Sequence, residues 1–364
     1  ELRNKIENLE KYFSKYKKQD VIKKLEEVKD KLNNQEYKIA VVANMSAGKS
    51  TFINALFGDS ILPAYSHATT DCPIYVYSDD NPDNNMAIVE FTDGKETIEL
   101  PKEIVQKEIK YYAQKDDDSL DNKYKNVKKI DLHWDFHVLQ NSQKYDKKFI
   151  LIDTPGPNNT DEHAFKHSDI TRNIIVNEAD MVLYLFDYGQ IDANLESSEN
   201  NLWGLIKQRK EQYPNFEVFF IINKIDKAFE DNKKIPNIIS SSSKDEFYTN
   251  IKKHWLYHEK IAITKIKNSA IKYGFNSPKI FTVSSKFIEY YRNKDHLNFD
   301  HLDDIEELMK FFKNIFRNNW NSKFQSYLGY KTIEKELKKY LKMDEQIFKL
   351  VKRKKIKYKK KCKT

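Results

Sequence analysis

The stretch Val41-Val42-Ala43-Asn44-Met45-Ser46-Ala47-Gly48-Lys49-Ser50-Thr51 constrains this chain more than any other. An apolar run leads into a loop of small residues that closes on Gly-Lys-Ser, and helix-forming sequence follows. That strand, loop and helix make the physical plan of a P-loop. Backbone N–H groups from Ser46 through Ala47, Gly48 and on to Thr51 curl around phosphates, Lys49 brings a point charge to the β and γ oxygens, and the Ser50 hydroxyl reaches Mg²⁺. The helix that opens at the loop adds its own N-terminal N–H groups. One position departs from the pattern, because Ala43 stands where a glycine is expected first. The backbone there has to avoid conformations that only glycine tolerates well.

The 364 residues suffice for one large core and a second, smaller unit. Gly and Pro are scarce, at 8 and 9 residues, which excludes a fibrous or disordered chain. Cys72 and Cys362 match no zinc or redox spacing, so a reducing, cytoplasmic setting is expected. The chain opens on Glu1 without a signal-like apolar run, and reads as a truncated or processed product. Its longest apolar stretches, Met181 to Phe186 and Val218 to Ile222, suit buried strands and are too short to span a bilayer. Nine basic residues and no acidic one lie between Lys352 and Lys363, which exceeds the whole net charge of +8. The body is therefore close to neutral, and no specific nucleic-acid partner is expected.

Residues 1–36 carry helical spacing, with Leu2, Ile6, Leu9 and Phe13 followed by Ile22, Leu25, Val28 and Leu32. From Tyr37 to about residue 290 apolar strands alternate with helices, which predicts an α/β domain with a mainly parallel central sheet and helices on both faces. Strands are predicted at 38–43, 73–78, 86–91, 130–135, 148–152, 181–186, 217–222 and 279–283. A helix is predicted at 102–114 and a charged loop at 115–128. Helical spacing returns over 291–364, through Leu302, Ile305, Phe312, Ile333, Leu337 and Leu341. The two chain ends are expected to pack as a short helical bundle or neck, with a basic tail at 352–363.

The residues downstream narrow the nucleotide. Phe149-Ile150-Leu151-Ile152-Asp153-Thr154-Pro155-Gly156 is a buried strand ending in an acid and a tight turn. Asp153 is placed to hold Mg²⁺ through water, and the Gly156 N–H can meet the γ-phosphate because no side chain blocks it. A second strand feeds Asn223-Lys224-Ile225-Asp226, whose Asp226 carboxylate can accept both N1–H and the 2-amino group of guanine. Unpaired buried polar groups support discrimination against adenine of roughly 10⁴. Finally, Phe281-Thr282-Val283-Ser284-Ser285-Lys286 suits a last base-contacting loop with backbone donors for the guanine O6. Four fragments in this order, each ending an apolar strand, predict GTP and GDP as ligands with Mg²⁺.

Ser46-Ala47-Gly48-Lys49-Ser50-Thr51, Phe52-Ile53-Asn54-Ala55-Leu56-Phe57-Gly58, Leu62-Pro63 and His67-Ala68-Thr69-Thr70-Asp71-Cys72-Pro73 give the chain a further likeness. It resembles the dynamin-like large GTPases, particularly the bacterial members and the mitofusins, over about residues 37–290. The resemblance implies that Thr70 is the switch threonine that binds Mg²⁺, with Thr69 the alternative register. It implies that Ser46 helps bind a charge-compensating monovalent cation, K⁺ or Na⁺. Met45 departs from dynamin itself, where a glutamine stands. On this reading the catalytic set is Ser46, Lys49, Thr70 and Gly156, and the metal ligands are Ser50, Thr70 and Asp153.

The residue after Gly156 is Pro157, which has neither a polar side chain nor an N–H to orient water, and no arginine lies in the P-loop or switch segments. A missing arginine finger is worth about 10³–10⁵ in rate. The resemblance implies that GTPase-domain dimerisation, as a homodimer or with a related GTPase, supplies what is missing, and that the protein remodels membranes. The basic tail could hold an anionic lipid surface at the inner membrane face. The alternative is a regulatory or assembly GTPase that switches a protein partner without membrane work. The His pairs 133/137, 163/167 and 254/258 and the run Asp116-Asp117-Asp118 are expected to be satisfied or solvated groups, since zinc needs three or four ligands.

Overall fold

The computed structural model describes residues 11–12, 14–16, 22, 36–43, 47–63, 72–78, 81–113, 121–134, 148–156, 163–192, 202–213, 216–229, 243–286, 288, 332–333 and 335–337. Nine strands form a single sheet in the order β4-β3-β5-β2-β6-β1-β7-β8-β9. They are β1 (Glu36–Ala43), β2 (Ile74–Ser78), β3 (Met86–Phe91), β4 (Ile98–Pro101), β5 (Val127–Trp134), β6 (Lys148–Asp153), β7 (Met181–Asp187), β8 (Glu217–Asn223) and β9 (Lys279–Thr282). The α-helices that flank this sheet among the described residues are α1 (Lys49–Phe57), α2 (Lys102–Ala113), α3 (His163–Asn173), α4 (Leu202–Gln212) and α5 (Lys244–Lys272).

The strand period of two builds two cores from one sheet. In β1, Ile39, Val41 and Ala43 face one cluster while Ala40 and Val42 face the other. In β8, Phe219 and Ile221 join the first, and Val218, Phe220 and Ile222 the second. Phe52, Ile53 and Leu56 of α1 and Val105 and Ile109 of α2 cover the first face; Leu202, Trp203 and Ile206 of α4 and Ala262, Ile266 and Ala270 of α5 cover the second. Strands buried on both faces read as unbroken apolar runs, as β7 and β8 do. Each fully buried Phe or Ile contributes about 1.5–3 kcal/mol relative to exposure.

Strands β6, β1, β7, β8 and β9 run parallel, so their C-terminal ends share one edge of the sheet. Ligands of open α/β sheets bind outside such ends. The predicted mainly parallel sheet is present, with a modified flank: β2 runs antiparallel to β6, and β3 antiparallel to both β4 and β5. The structure corrects two local expectations. Strand β4 occupies a stretch not assigned to any element, because it is a four-residue edge strand with mixed burial. Residues 115–128 are not one loop, since Asn122–Tyr124 is a 3₁₀ turn capped by Asp121 and β5 begins at Val127.

Helix α3 continues into a π-helical turn, Ile174–Glu178, whose end is held by a buried arginine. Arg209 donates to the carbonyl of Ala179 at 3.1 and 2.8 Å and to that of Val176 at 2.5 Å, and lies 3.9 Å from the Tyr213 ring centroid. Charge-assisted bonds of this kind satisfy carbonyls that the irregular turn leaves open. The bundle expected from residues 1–36 and 291–364 lies outside the described residues, apart from isolated positions. Of these, Ile333 and Leu337, one turn apart, are buried in the first core.

Candidate nucleotide-binding site

The loop after β1 enters α1 through Gly48, whose φ of 79° is left-handed. A Cβ there would sit 2.8 Å from Asn223 Nδ2, so both backbone and space require glycine. Ala43 answers differently. It is the last residue of β1, extended and 2% exposed, and needs no glycine conformation. Asn44, Met45 and Ser46 lie outside the described residues, as do Thr69, Thr70 and Pro157.

Beside the loop, Ser50 Oγ donates to Asp153 Oδ2 at 3.1 Å. Asp153 is fully buried, and its Oδ1 has no hydrogen-bond partner. Burial pushes the Lys49 ammonium below its ordinary range, opposed by the nearby Asp153 charge. The same burial pushes the Asp153 carboxyl up, opposed by Lys49 and by the Ser50 hydrogen bond. A hydroxyl and an orphaned carboxylate oxygen are hard oxygen donors, the kind Mg²⁺ takes together with phosphate oxygens and water. The residues present fit that ion.

Thr154 fastens the next turn to β1, donating from Oγ1 to the Val41 carbonyl at 2.8 Å. Thr171 of α3 donates to the Pro155 carbonyl at 3.2 Å, so Gly156, itself buried, leaves a braced turn. Across the loop, Asn54 of α1 is 1% exposed and clamps the next segment. Its Oδ1 accepts from the amides of Ile61 and Leu62 at 3.2 and 2.9 Å, and its Nδ2 donates to the Leu62 carbonyl at 2.9 Å.

The two fragments expected to read the base meet the expected phosphate loop through Asn223. Its Nδ2 donates to the Ala47 carbonyl at 2.9 Å. Its Oδ1 accepts from the Lys224 amide at 2.9 Å, the Ser285 amide at 3.1 Å and the Ser285 hydroxyl at 2.7 Å. Asp226 is buried and accepts a short hydrogen bond from the Ser284 hydroxyl. The structure thus brings together Ala47, Gly48, Lys49, Ser50, Thr51, Asp153, Gly156, Asn223, Lys224, Asp226, Ser284 and Ser285 along the C-terminal edge of the sheet. The Ser285 amide, expected as a donor for a base oxygen, is engaged by Asn223 instead.

One residue of this edge was absent from the sequence reading. Asp187 ends β7, is 1% exposed, and lies within 2.9 Å of Lys224 Nζ and 3.4 Å of Lys227 Nζ. The available signal was an acid closing the longest apolar run, as Asp153 closes another. Of the paired histidines, His254 Nε2 lies 2.9 Å from the Ala228 carbonyl, His258 Nδ1 2.5 Å from the Tyr188 hydroxyl, and His133 stacks on Tyr77; His137, the side chains of His163 and His167, and Asp116-Asp117-Asp118 lie outside the described residues. Among the described residues no group of three or more His, Cys, Asp or Glu could hold a metal ion. None of their helices is long and apolar enough to cross a membrane.

A phosphate loop at β1, an acid and turn at β6, and a base-reading tetrad at β8 define the P-loop GTPase class of α/β domain. Residues 39–225 match the Dynamin family, and the chain belongs to that family of GTPases. It is 27% identical over 234 residues to Dynamin-like protein A of Bacillus subtilis (strain 168), covering 64% of this chain and 17% of that protein. A protein of Caldicellulosiruptor matches at 23% identity, covering 62% of this chain and 49% of its own length. The matched region thus spans under half the length of these curated relatives. Among solved structures, an oligomerised bacterial dynamin pair overlays with a TM-score of 0.42 at 17% identity, covering 98% of this chain and 49% of that one. Era of Aquifex aeolicus bound to GDP and AlF₄⁻ overlays with a TM-score of 0.33 at 16% identity, covering 69% of this chain and 52% of that one.

Proposed function

We propose that this chain binds GTP and Mg²⁺ along the C-terminal edge of its sheet and hydrolyses the γ-phosphate. The observation that carries this reading is the Asn223 hub, which ties the phosphate loop, the base tetrad and the serine loop into one unit. In the proposed assignment Ala47, Gly48 and Thr51 contribute backbone donors, and Lys49 meets the β and γ oxygens. Ser50 and Asp153 hold the metal, the Gly156 amide meets the γ-phosphate, and Asp226 reads the guanine N1–H and 2-amino group. The buried Lys49 and Asp153 charges are costly without a ligand, and a bound Mg²⁺ and triphosphate supply the counter-charges.

Ser46 and Thr70 take the roles expected of them: a monovalent-cation contact and a switch ligand to Mg²⁺. Pro157 cannot orient a water molecule, so catalysis waits for a second GTPase domain, from another copy or a related chain. Membership of the dynamin family and the basic tail at 352–363 support membrane remodelling on an anionic surface as the work done. The test is phosphate release per molecule across a range of protein concentrations, in K⁺ and in Na⁺. Turnover rising with concentration and differing between the salts is expected; a flat response to both defeats the dimerisation reading. Co-sedimentation with anionic vesicles, with and without residues 352–364, tests the tail.

A further inference from the structure

Asp187 is a buried carboxylate that the reading above does not use. It sits where β7 ends, beside β8, and its register partner is Asn223. Its Oδ1 accepts the Gly189 amide at 2.8 Å, which fixes the carboxylate orientation. Its Oδ2 accepts from Lys224 Nζ at 2.9 Å, and Lys227 Nζ lies 3.4 Å from both oxygens.

Lys224 is unusual in its backbone as well. Its φ of 59° is left-handed, a conformation shared with Asn126 alone among the described non-glycine residues. Such strain, for a long side chain, persists only when the surroundings over-determine it. The Asn223 side chain holds the Lys224 amide, and Asp187 holds the ammonium. Between those anchors the stem passes the phosphate loop, with Cε 3.6 Å from where a Gly48 Cβ would lie. A lysine stretched between two fixed points presents a flat methylene wall beside the base tetrad, and a planar base can lie against it. Gly189 leaves room for the second lysine, since a Cβ there would meet Lys227 Cδ at 3.1 Å and Nζ at 3.2 Å.

We infer that Asp187 is a positioning residue for nucleotide binding, acting through Lys224. The inference rests on Asn223-Lys224-Ile225-Asp226 being the base-reading tetrad. Because the base and ribose are the same in substrate and product, the effect is one of uniform binding. It appears in affinity and KM, and not in kcat.

The experiment measures fluorescent GDP and GTP affinity, together with saturated turnover, for Asp187→Asn, Lys224→Met and the double variant. Asp187→Asn keeps the shape and the Gly189 bond while removing the charge. It should weaken GDP and GTP by the same factor, about 10- to 100-fold, and leave kcat within about twofold of the unsubstituted chain. Asp187→Glu, which restores the charge, should recover part of the loss. Lys224→Met keeps the stem and should weaken binding comparably, with the double variant little worse than either single one. Unchanged affinity in Asp187→Asn alongside a loss in Lys224→Met overturns the inference and leaves the tetrad intact. Unchanged affinity in Lys224→Met, which keeps the stem, also overturns the inference, whereas unchanged guanine affinity in Asp226→Ala would defeat the tetrad assignment itself. Additive losses in the double variant, or a fall in kcat alone, also overturn the inference. Thermal unfolding of each nucleotide-free variant identifies misfolding, and the Lys224→Met and Asp187→Glu measurements remain decisive should Asp187→Asn unfold.

Discussion

Asn223 Nδ2 donates to the Ala47 carbonyl at 2.9 Å, joining residues 176 positions apart. That bond ties the proposed phosphate loop to the proposed base-reading tetrad. Asn223→Ala removes it, together with the acceptor for the Lys224 and Ser285 amides. Each buried donor left unsatisfied costs about 1–3 kcal/mol. The variant should lose at least 2 kcal/mol in urea unfolding, and bind GDP and GTP more than tenfold more weakly by equilibrium titration.

Gly48→Ala tests the same junction from the other side. A left-handed alanine costs about 1–2 kcal/mol, and its Cβ would displace the Asn223 amide at 2.8 Å. Nucleotide affinity should fall by more than tenfold, whereas Ala43→Gly, at an extended strand position, should leave affinity within about twofold and cost only about 0.5–1 kcal/mol of stability.

Burial of Lys49 and Asp153 gives the nucleotide-free protein a characteristic pH response. Asp153 has a folded pKa raised above 3.8, so its contribution is full below 3.8 and is lost as pH rises through the raised value. Lys49 has a folded pKa lowered from 10.5, so its contribution is present above 10.5 and is lost as pH falls through the lowered value. Wherever both groups are charged inside the fold, both are a cost. Replacing both by neutral groups of similar shape, Lys49→Met with Asp153→Asn, should stabilise the nucleotide-free chain near pH 7 by about 1–4 kcal/mol while abolishing Mg²⁺-dependent GTP binding. Urea unfolding with and without Mg²⁺ and GDP measures both effects.

The apolar runs of β1, β7 and β8 were legible because a strand buried on both faces is written as consecutive Val, Ile and Phe. The phosphate loop and tetrad were legible because their spacing follows from backbone geometry. Strand β4 was not, since four residues of mixed burial at a sheet edge carry no period. The antiparallel pairing of β2 with β6 was not, because a strand's direction is set by the connection and not by its own composition. Asp187 and Arg209 escaped for a related reason. Their meaning lies in partners on other elements, Lys224 and the π-helical turn, which no local pattern announces.

In the proposed assignment, guanine recognition rests on the Asp226 carboxylate as a double acceptor. Asp226→Asn turns one acceptor into a donor, which pairs with the 2-oxo group of xanthine and opposes the 2-amino group of guanine. The preference should move from GTP towards XTP by at least about 10²-fold, read as the ratio of kcat/KM. The Ser284 hydroxyl donates to the Asp226 Oδ1, and an Asn oxygen at that position can accept the same bond.

Phosphate release from GTP and from ATP, measured side by side with Mg²⁺ for the unsubstituted chain and Lys49→Ala, tests the account most directly. The account predicts hydrolysis of GTP, at least about 10³-fold less with ATP, and loss of the GTP activity in Lys49→Ala. Equal hydrolysis of the two nucleotides, or full activity without Lys49, would contradict it.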